Sequence, residues 1–195
     1  MAPKIFSSTE KEQLKEQMFH SGLELLKKYG MTHMSVEKIT SGAGIGKSTF
    51  YNFFMSKEDF VIQLIEYNRM RFWNAIRDML NGREKLDVSE SKKILILIIN
   101  SQDSVYQYLT VEDENRLAAV SPDHGKADID EETEILKHLF SMFEGVREDA
   151  DMAVISNLLK ILALTAENRS ALHESGYKRT QDKLFETLFD CIFKE

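Results

Sequence analysis

At 195 residues with 43% apolar and 29% charged residues, the chain is long enough to bury a sizeable core and too mixed for a disordered or fibrous protein. Its longest apolar run, Ile94 to Ile99, is far short of the roughly 20 residues a membrane helix needs. A Ser-Ser-Thr-Glu run behind Lys4 stands where a secretory signal would be apolar, so a cytoplasmic protein without membrane contact is expected. The single cysteine, Cys191, excludes an internal disulfide framework and, among Phe189, Ile192 and Phe193, reads as a core thiol.

The net charge of −7 argues against nucleic acid only until its distribution is considered. Residues 1–57 hold eight lysines against five glutamates, a net +3, which leaves −10 on the remainder. Such asymmetry suits a basic module facing nucleic acid, attached to an acidic body with another task.

In chain order, Ser7 and Glu10 form a capping-box pattern ahead of a helix with Leu14, Met18, Leu25 and Tyr29 on its apolar stripe, ending at Gly30. Ser35 is the next N-cap, opening a short helix with Val36 and Ile39 inward and Gly42 and Gly44 as its stop. Ile45 reads as a plug into the core. Gly46 then starts a second short helix carrying Phe50 and Phe54 on one face, with Lys47, Ser48, Tyr51 and Asn52 mostly on others. Two short helices across a glycine-bearing turn, braced by a longer one, make a helix-turn-helix. Ser56 and Asp59 cap a long fourth helix with Phe60, Leu64, Phe72, Ile76 and Leu80 on its apolar face, ending at Asn81-Gly82.

Beyond a loop from Arg83 to Ser89, Ile94 to Ile99 fits either a buried strand or a helix. A helix buried all round is expected, since no partner strands exist elsewhere. Ser121-Pro122-Asp123-His124-Gly125 is a loop, and acidic Asp128 to Glu132 opens a helix with Leu136, Leu139, Phe140 and Phe143 that ends at Gly145. The next helix has two apolar stripes, one with Met152, Ile155, Leu159 and Leu162, the other with Val154, Leu158, Ile161 and Thr165, and so needs two neighbours. The last, from about Thr180, carries Leu184, Phe185, Leu188, Phe189 and Ile192, more than one core face requires, and a second subunit is expected to cover the excess.

Gly46-Lys47-Ser48 matches the second half of a phosphate-binding P-loop, a pattern that would make the chain a nucleotide-binding enzyme. The first glycine of that pattern is missing, because Ser41 stands there, and the preceding Met34 to Thr40 reads as helix rather than strand. A DNA duplex explains more of the same residues. Gly46 and Ser48 let backbone approach a groove, Lys47 can neutralise a phosphate or donate to a guanine edge, and Asn52 can read an adenine. Tyr51 and Thr49 add hydroxyls.

Residues 30–60 resemble the DNA-binding signature of the tetracycline-repressor (TetR) family, with Ala43-Gly44-Ile45, Thr49-Phe50-Tyr51, Phe54 and Ser56-Lys57-Glu58 in register. The resemblance implies an all-α protein of about nine helices, with a helix-turn-helix domain over 1–56 and a helical ligand-binding and dimerisation domain over 57–195. It implies a homodimeric, cytoplasmic and nucleoid-associated repressor that binds a palindromic operator in double-stranded DNA and responds to a small-molecule effector. Carried over by position, Lys47, Ser48 and Asn52 would lie at base edges, with Thr49, Tyr51, Phe53 and Lys57 at or beside the DNA backbone and Ser35 capping the helix that crosses it. Gly46, Ser48, Thr40 and Asn52 depart from the residues common in the family, which bears on the operator sequence rather than the fold.

Met70, Phe72, Trp73, Tyr106, Phe140 and Phe143 are candidates to line an effector pocket, because such sites are mostly apolar. The five histidines show no paired metal spacing and no motif gathers titratable groups, so no catalytic residue, metal or cofactor is assigned. A helical adaptor that has lost DNA binding is a further alternative.

Overall fold

The computed structural model of the chain describes residues 7–100, 105–121 and 129–194. Among these residues all regular structure is helical. The first helix, α1 (Ser8–His33), opens on Ser7, whose hydroxyl accepts from the Glu10 amide at 3.3 Å while the Glu10 carboxylate accepts from the Ser7 amide at 2.8 Å. Gly30 adopts φ +69° and kinks α1 rather than ending it, and one more turn follows to His33.

Ser35 caps α2 (Val36–Gly42) by accepting from the Lys38 amide at 3.3 Å, and Gly44, at φ +67°, turns the chain into α3 (Lys47–Phe50). That helix is shorter than its pattern suggested. Phe54 lies in the turn beyond it, yet Phe50 and Phe54 are both fully buried, so two inward rings fix a single helical turn that could not persist alone. Ser56 accepts from the Asp59 amide at 3.0 Å at the start of α4 (Lys57–Leu80), whose Asp59 carboxylate reaches back to the Met55 amide at 2.7 Å.

Helix α5 (Val88–Asn100) resolves the strand alternative. It buries Ile94, Leu95 and Ile99 and leaves Leu97 64% exposed, so it is one-faced rather than buried all round. A 3-10 turn (Val105–Tyr108), α6 (Val111–Val120), α7 (Ile129–Ser141), α8 (Met152–Glu167), a second 3-10 turn (Arg169–Ala171) and α9 (Glu174–Ile192) complete the order. The loop expected over 121–125 lies, after Ser121, outside the described residues, as does Asp128. No helix among the described residues is long and apolar enough to cross a membrane.

The chain forms two compact units. The first comprises residues up to Asn74 together with 102–126, and its core is aromatic: Phe60 lies 4.9 Å from Phe54, 5.6 Å from Phe50 and 5.7 Å from Phe19 between ring centroids. A buried carboxylate joins two of its helices. Asp113, 1% exposed in the first turn of α6, accepts from the Thr110 amide at 3.0 Å and hydroxyl at 2.8 Å, and from the Thr32 hydroxyl of α1 at 3.3 Å. Asp113→Ala removes the acceptor of both hydroxyls and of the Thr110 amide, the carboxylate half of the capping box, a loss of about 1–3 kcal/mol. Urea unfolding checks this; a change under about 0.5 kcal/mol, the size of an ordinary surface substitution, would count against the carboxylate's role.

The second unit comprises 75–101 and 127–195, with α8 packed on α5, α7 and α9. Arg83 closes the end of α4, donating to the Met79 and Leu80 carbonyls and gripping Glu90 of α5 through two bonds of 3.0 and 2.9 Å. Leu86 pairs with Phe143, and Val146 with Phe193, through single backbone bridges that tie the loops between helices. Helix α9 starts earlier than its apolar pattern, because its first two turns are almost wholly polar. Cys191, expected in the core, is only half-buried.

Candidate nucleic-acid interface

The residues assigned to DNA all belong to the first unit. Helix α3 turns Phe50 inward and leaves Lys47, Ser48, Tyr51 and Asn52 exposed, with Thr49 half-buried. Tyr51 is 51% exposed and stands edge-on to Phe50 with centroids 5.4 Å apart, so its ring is steadied from below while its hydroxyl faces solvent. Phe53 differs from these, because it is half-buried and packs against the core beside Phe54. The Ser35 hydroxyl is occupied as an acceptor by its cap.

Three lysines surround α3 and have different partners. Lys57 donates to the Met31 carbonyl at 3.0 Å, tying the start of α4 to the tail of α1. Lys38 donates to the His33 carbonyl at 3.0 Å and lies 4.6 Å above the Tyr29 ring. Both of these acceptors are neutral carbonyls. Lys47 instead pairs with the carboxylate of Glu37, an exposed residue in the first turn of α2. The lysine holds the Glu37 pKa below its ordinary 4.5, helped by the residue's own backbone amide and by Ser35, and Glu37 in turn raises the Lys47 pKa above 10.5. With the carboxyl pKa lowered on folding, the pair is intact at neutral pH and dissolves only as pH falls through the depressed value.

Sequence reading assigned Glu37 no role. Its signal was present: an acidic residue one helix ahead of the only lysine in the recognition segment, across a tight turn.

The effector candidates fall in both units. Met70 is exposed on α4, and Phe72 and Trp73 are half-buried, edge-on at 5.1 Å. These three belong to the first unit, as does Tyr106, whose side chain lies outside the described ones. Phe140 and Phe143 are buried in the second unit, 5.7 Å apart, as core.

The family model for bacterial regulatory proteins of the tetR family matches residues 19–64, which span most of α1, the whole of α2 and α3, and the first two turns of α4. Over these residues the chain is similar to the DNA-binding segment of tetR-family regulators. No curated protein matches it by sequence. Solved structures show the same fold over nearly the whole chain. NalD of Pseudomonas aeruginosa, the secondary repressor of the MexAB-OprM multidrug efflux pump, aligns over 95% of this chain and 99% of its own, with TM-score 0.57 and 15% identity. The fatty acid degradation regulator FadR of Bacillus halodurans aligns over 93% and 97%, with TM-score 0.58 and 20% identity. A chain from Saccharomonospora viridis in complex with choline aligns over 94% and 100%, with TM-score 0.67 and 15% identity. At such identities the likeness carries the fold alone. The helix-turn-helix match over residues 19–64 supports a DNA-binding transcriptional regulator.

Proposed function

We propose that this chain is a regulator of the TetR family, a cytoplasmic, nucleoid-associated repressor that binds a palindromic operator as a homodimer and responds to a small-molecule effector. Residues 1–56 serve DNA, and 57–195 serve effector binding and dimerisation. The observation that carries the reading is the division of labour in α3: two buried rings anchor it, while Ser48, Tyr51 and Asn52 are exposed and Lys47 is exposed in its pair with Glu37. Lys47, Ser48 and Asn52 are read as base contacts, with Thr49, Tyr51, Phe53 and Lys57 at or beside phosphates.

Dimerisation is supported by the second apolar stripe of α8. Ile161 is 44% exposed and Leu164 56%, on a helix whose opposite stripe buries Ile155 and Leu162 completely. Apolar area of this kind is stabilised by burial at about 25 cal/mol per Å2. Replacing Ile161 and Leu164 by Asp places charges in such an interface, and the double variant is expected to elute as a monomer in size-exclusion chromatography with light scattering. A variant that elutes as wild type removes this interface from the reading.

The effector acts by binding the DNA-competent and DNA-incompetent dimers unequally; a 100-fold preference shifts their balance by about 2.7 kcal/mol. The complex of the Saccharomonospora viridis chain with choline supports a small organic effector. Genome-wide occupancy by the intact chain tests the whole proposal. One or a few enriched palindromes, one of them near the chain's own gene, are expected, with affinity falling steeply as salt rises. A profile without an enriched palindrome rules the proposal out.

A further inference from the structure

The recognition surface contains a contradiction. A protein that approaches phosphates gains by collecting positive charge, yet the one lysine on α3 faces a carboxylate. Glu37 and Lys47 are both largely exposed, with 62% and 53% of their side-chain surface accessible, so the pair adds little to folding. Stability therefore does not explain it. Nor is the carboxylate needed to cap α2, since Ser35 already does so through the Lys38 amide. Lys38 and Lys57 are bonded to the neutral His33 and Met31 carbonyls instead. Of these three lysines, the one on the recognition helix is the one that faces a carboxylate.

A cancelled charge has a defined effect on DNA binding. Each phosphate neutralised by a cation releases counterions and strengthens binding to any sequence, with a slope of about −0.9 in log K against log salt. A lysine held by a carboxylate forgoes that sequence-independent gain. The carboxylate also meets the electronegative duplex, where the partner that suits it is a hydrogen-bond donor on a base edge. In the major groove the amine of cytosine N4 is such a donor, and guanine O6 and N7 on the opposite strand are acceptors suited to lysine. The two side chains thus match the two halves of a G·C pair.

We propose that Glu37 is a specificity-determining residue of the DNA-binding surface: it holds Lys47 away from indiscriminate phosphate contact, and the pair engages fully only where the duplex presents guanine to the lysine and cytosine to the carboxylate. The inference rests on the DNA-binding reading above. It predicts that operators contain a G·C pair at the position under α3 where α2 comes nearest. It also predicts that the chain binds random duplex more weakly than its lysines alone would allow.

The test compares wild type, Glu37→Gln, Lys47→Ala and the double variant by fluorescence anisotropy on one fixed random-sequence duplex across a salt series. Selection from a randomised duplex library runs alongside. Glutamine keeps the shape and removes the charge, and with the pair exposed the melting temperature should not change. For Glu37→Gln, affinity for the random duplex is expected to rise about five- to tenfold near 0.1 M salt, with the salt slope steeper by about one per half-site. The selected sequences should lose their G·C preference at one position of each half-site, and the ratio of selected to random affinity should fall about tenfold. In the Lys47→Ala background the same substitution should do much less, because the carboxylate then has no lysine to withhold. An unchanged slope and random-duplex affinity in Glu37→Gln overturns the inference, as does an equal gain with and without Lys47. If wild type binds no duplex even at low salt, the DNA-binding reading falls and takes this one with it; if wild type binds and Glu37→Gln matches it, only this inference falls.

Discussion

Lys47→Ala combined with Tyr51→Ala is expected to lower operator affinity by about 10²- to 10³-fold, while the chain melts as wild type does. A base contact, or the backbone contact that orients it, carries about 1–3 kcal/mol, and the loss of two such contacts accounts for a change of this size. Both side chains point away from the core, Tyr51 lying on the outer edge of the buried Phe50, so neither deletion opens a cavity. Equilibrium binding to the duplex recovered from genome-wide occupancy, beside thermal melting, measures both. An affinity for the double variant within threefold of wild type would remove α3 from the interface.

Phe60→Ala is expected to destabilise the first unit by about 3–5 kcal/mol, a large share of a typical domain's stability, and to abolish DNA binding with it. The Phe60 ring is fully buried against Phe19, Phe50 and Phe54, and Phe50 is the residue by which α3 enters this core. Gly22 on α1 is what admits this ring. A Cβ placed there would stand 2.5 Å from Phe60 Cε1, too close for any van der Waals contact. Gly22→Ala should therefore cost about 2–3 kcal/mol through overpacking. The two changes meet at one place and should not add. In Gly22→Ala/Phe60→Leu the new methyl fills space the ring has vacated, and the double variant should lie within about 1 kcal/mol of Phe60→Leu alone. Urea denaturation with the four chains settles it: simple additivity would mean that Gly22 and Phe60 do not share this contact.

Much of the first unit is legible along the chain because its signals are local. Ser7, Ser35 and Ser56 cap helices through amides three residues on, and Gly30 and Gly44 take left-handed backbone that other residues resist. Asp87 also caps α5, accepting from the Glu90 amide at 2.8 Å, but an acidic residue in a polar loop does not stand out from its neighbours. The start of α9 was hidden for a related reason. Its N-cap His173 makes no side-chain bond and its first turns carry no stripe, so neither the cap nor the periodicity announces it.

Periodicity also misjudged how much of α5 is covered. Six consecutive aliphatic residues look buried on every side, yet Leu97 stands 64% exposed, since burial depends on which neighbours arrive and not on the helix alone. Two stripes on α8 were visible from spacing; which of them the chain covers itself was not.

The sequence by itself determined the helical class, the helix-turn-helix, the caps that bound its helices and the identity of its outward residues. Those features follow from interactions within three or four residues and from the 3.6-residue period, both of which a linear chain displays. Only the tertiary structure decided that a single turn of helix would be held by two rings from outside it, that Lys57 would dock on the Met31 carbonyl, and that Lys47 would meet Glu37 ten positions earlier. Such pairings depend on the angle at which one helix crosses another, and that angle is set by the packing of the whole core around Phe60.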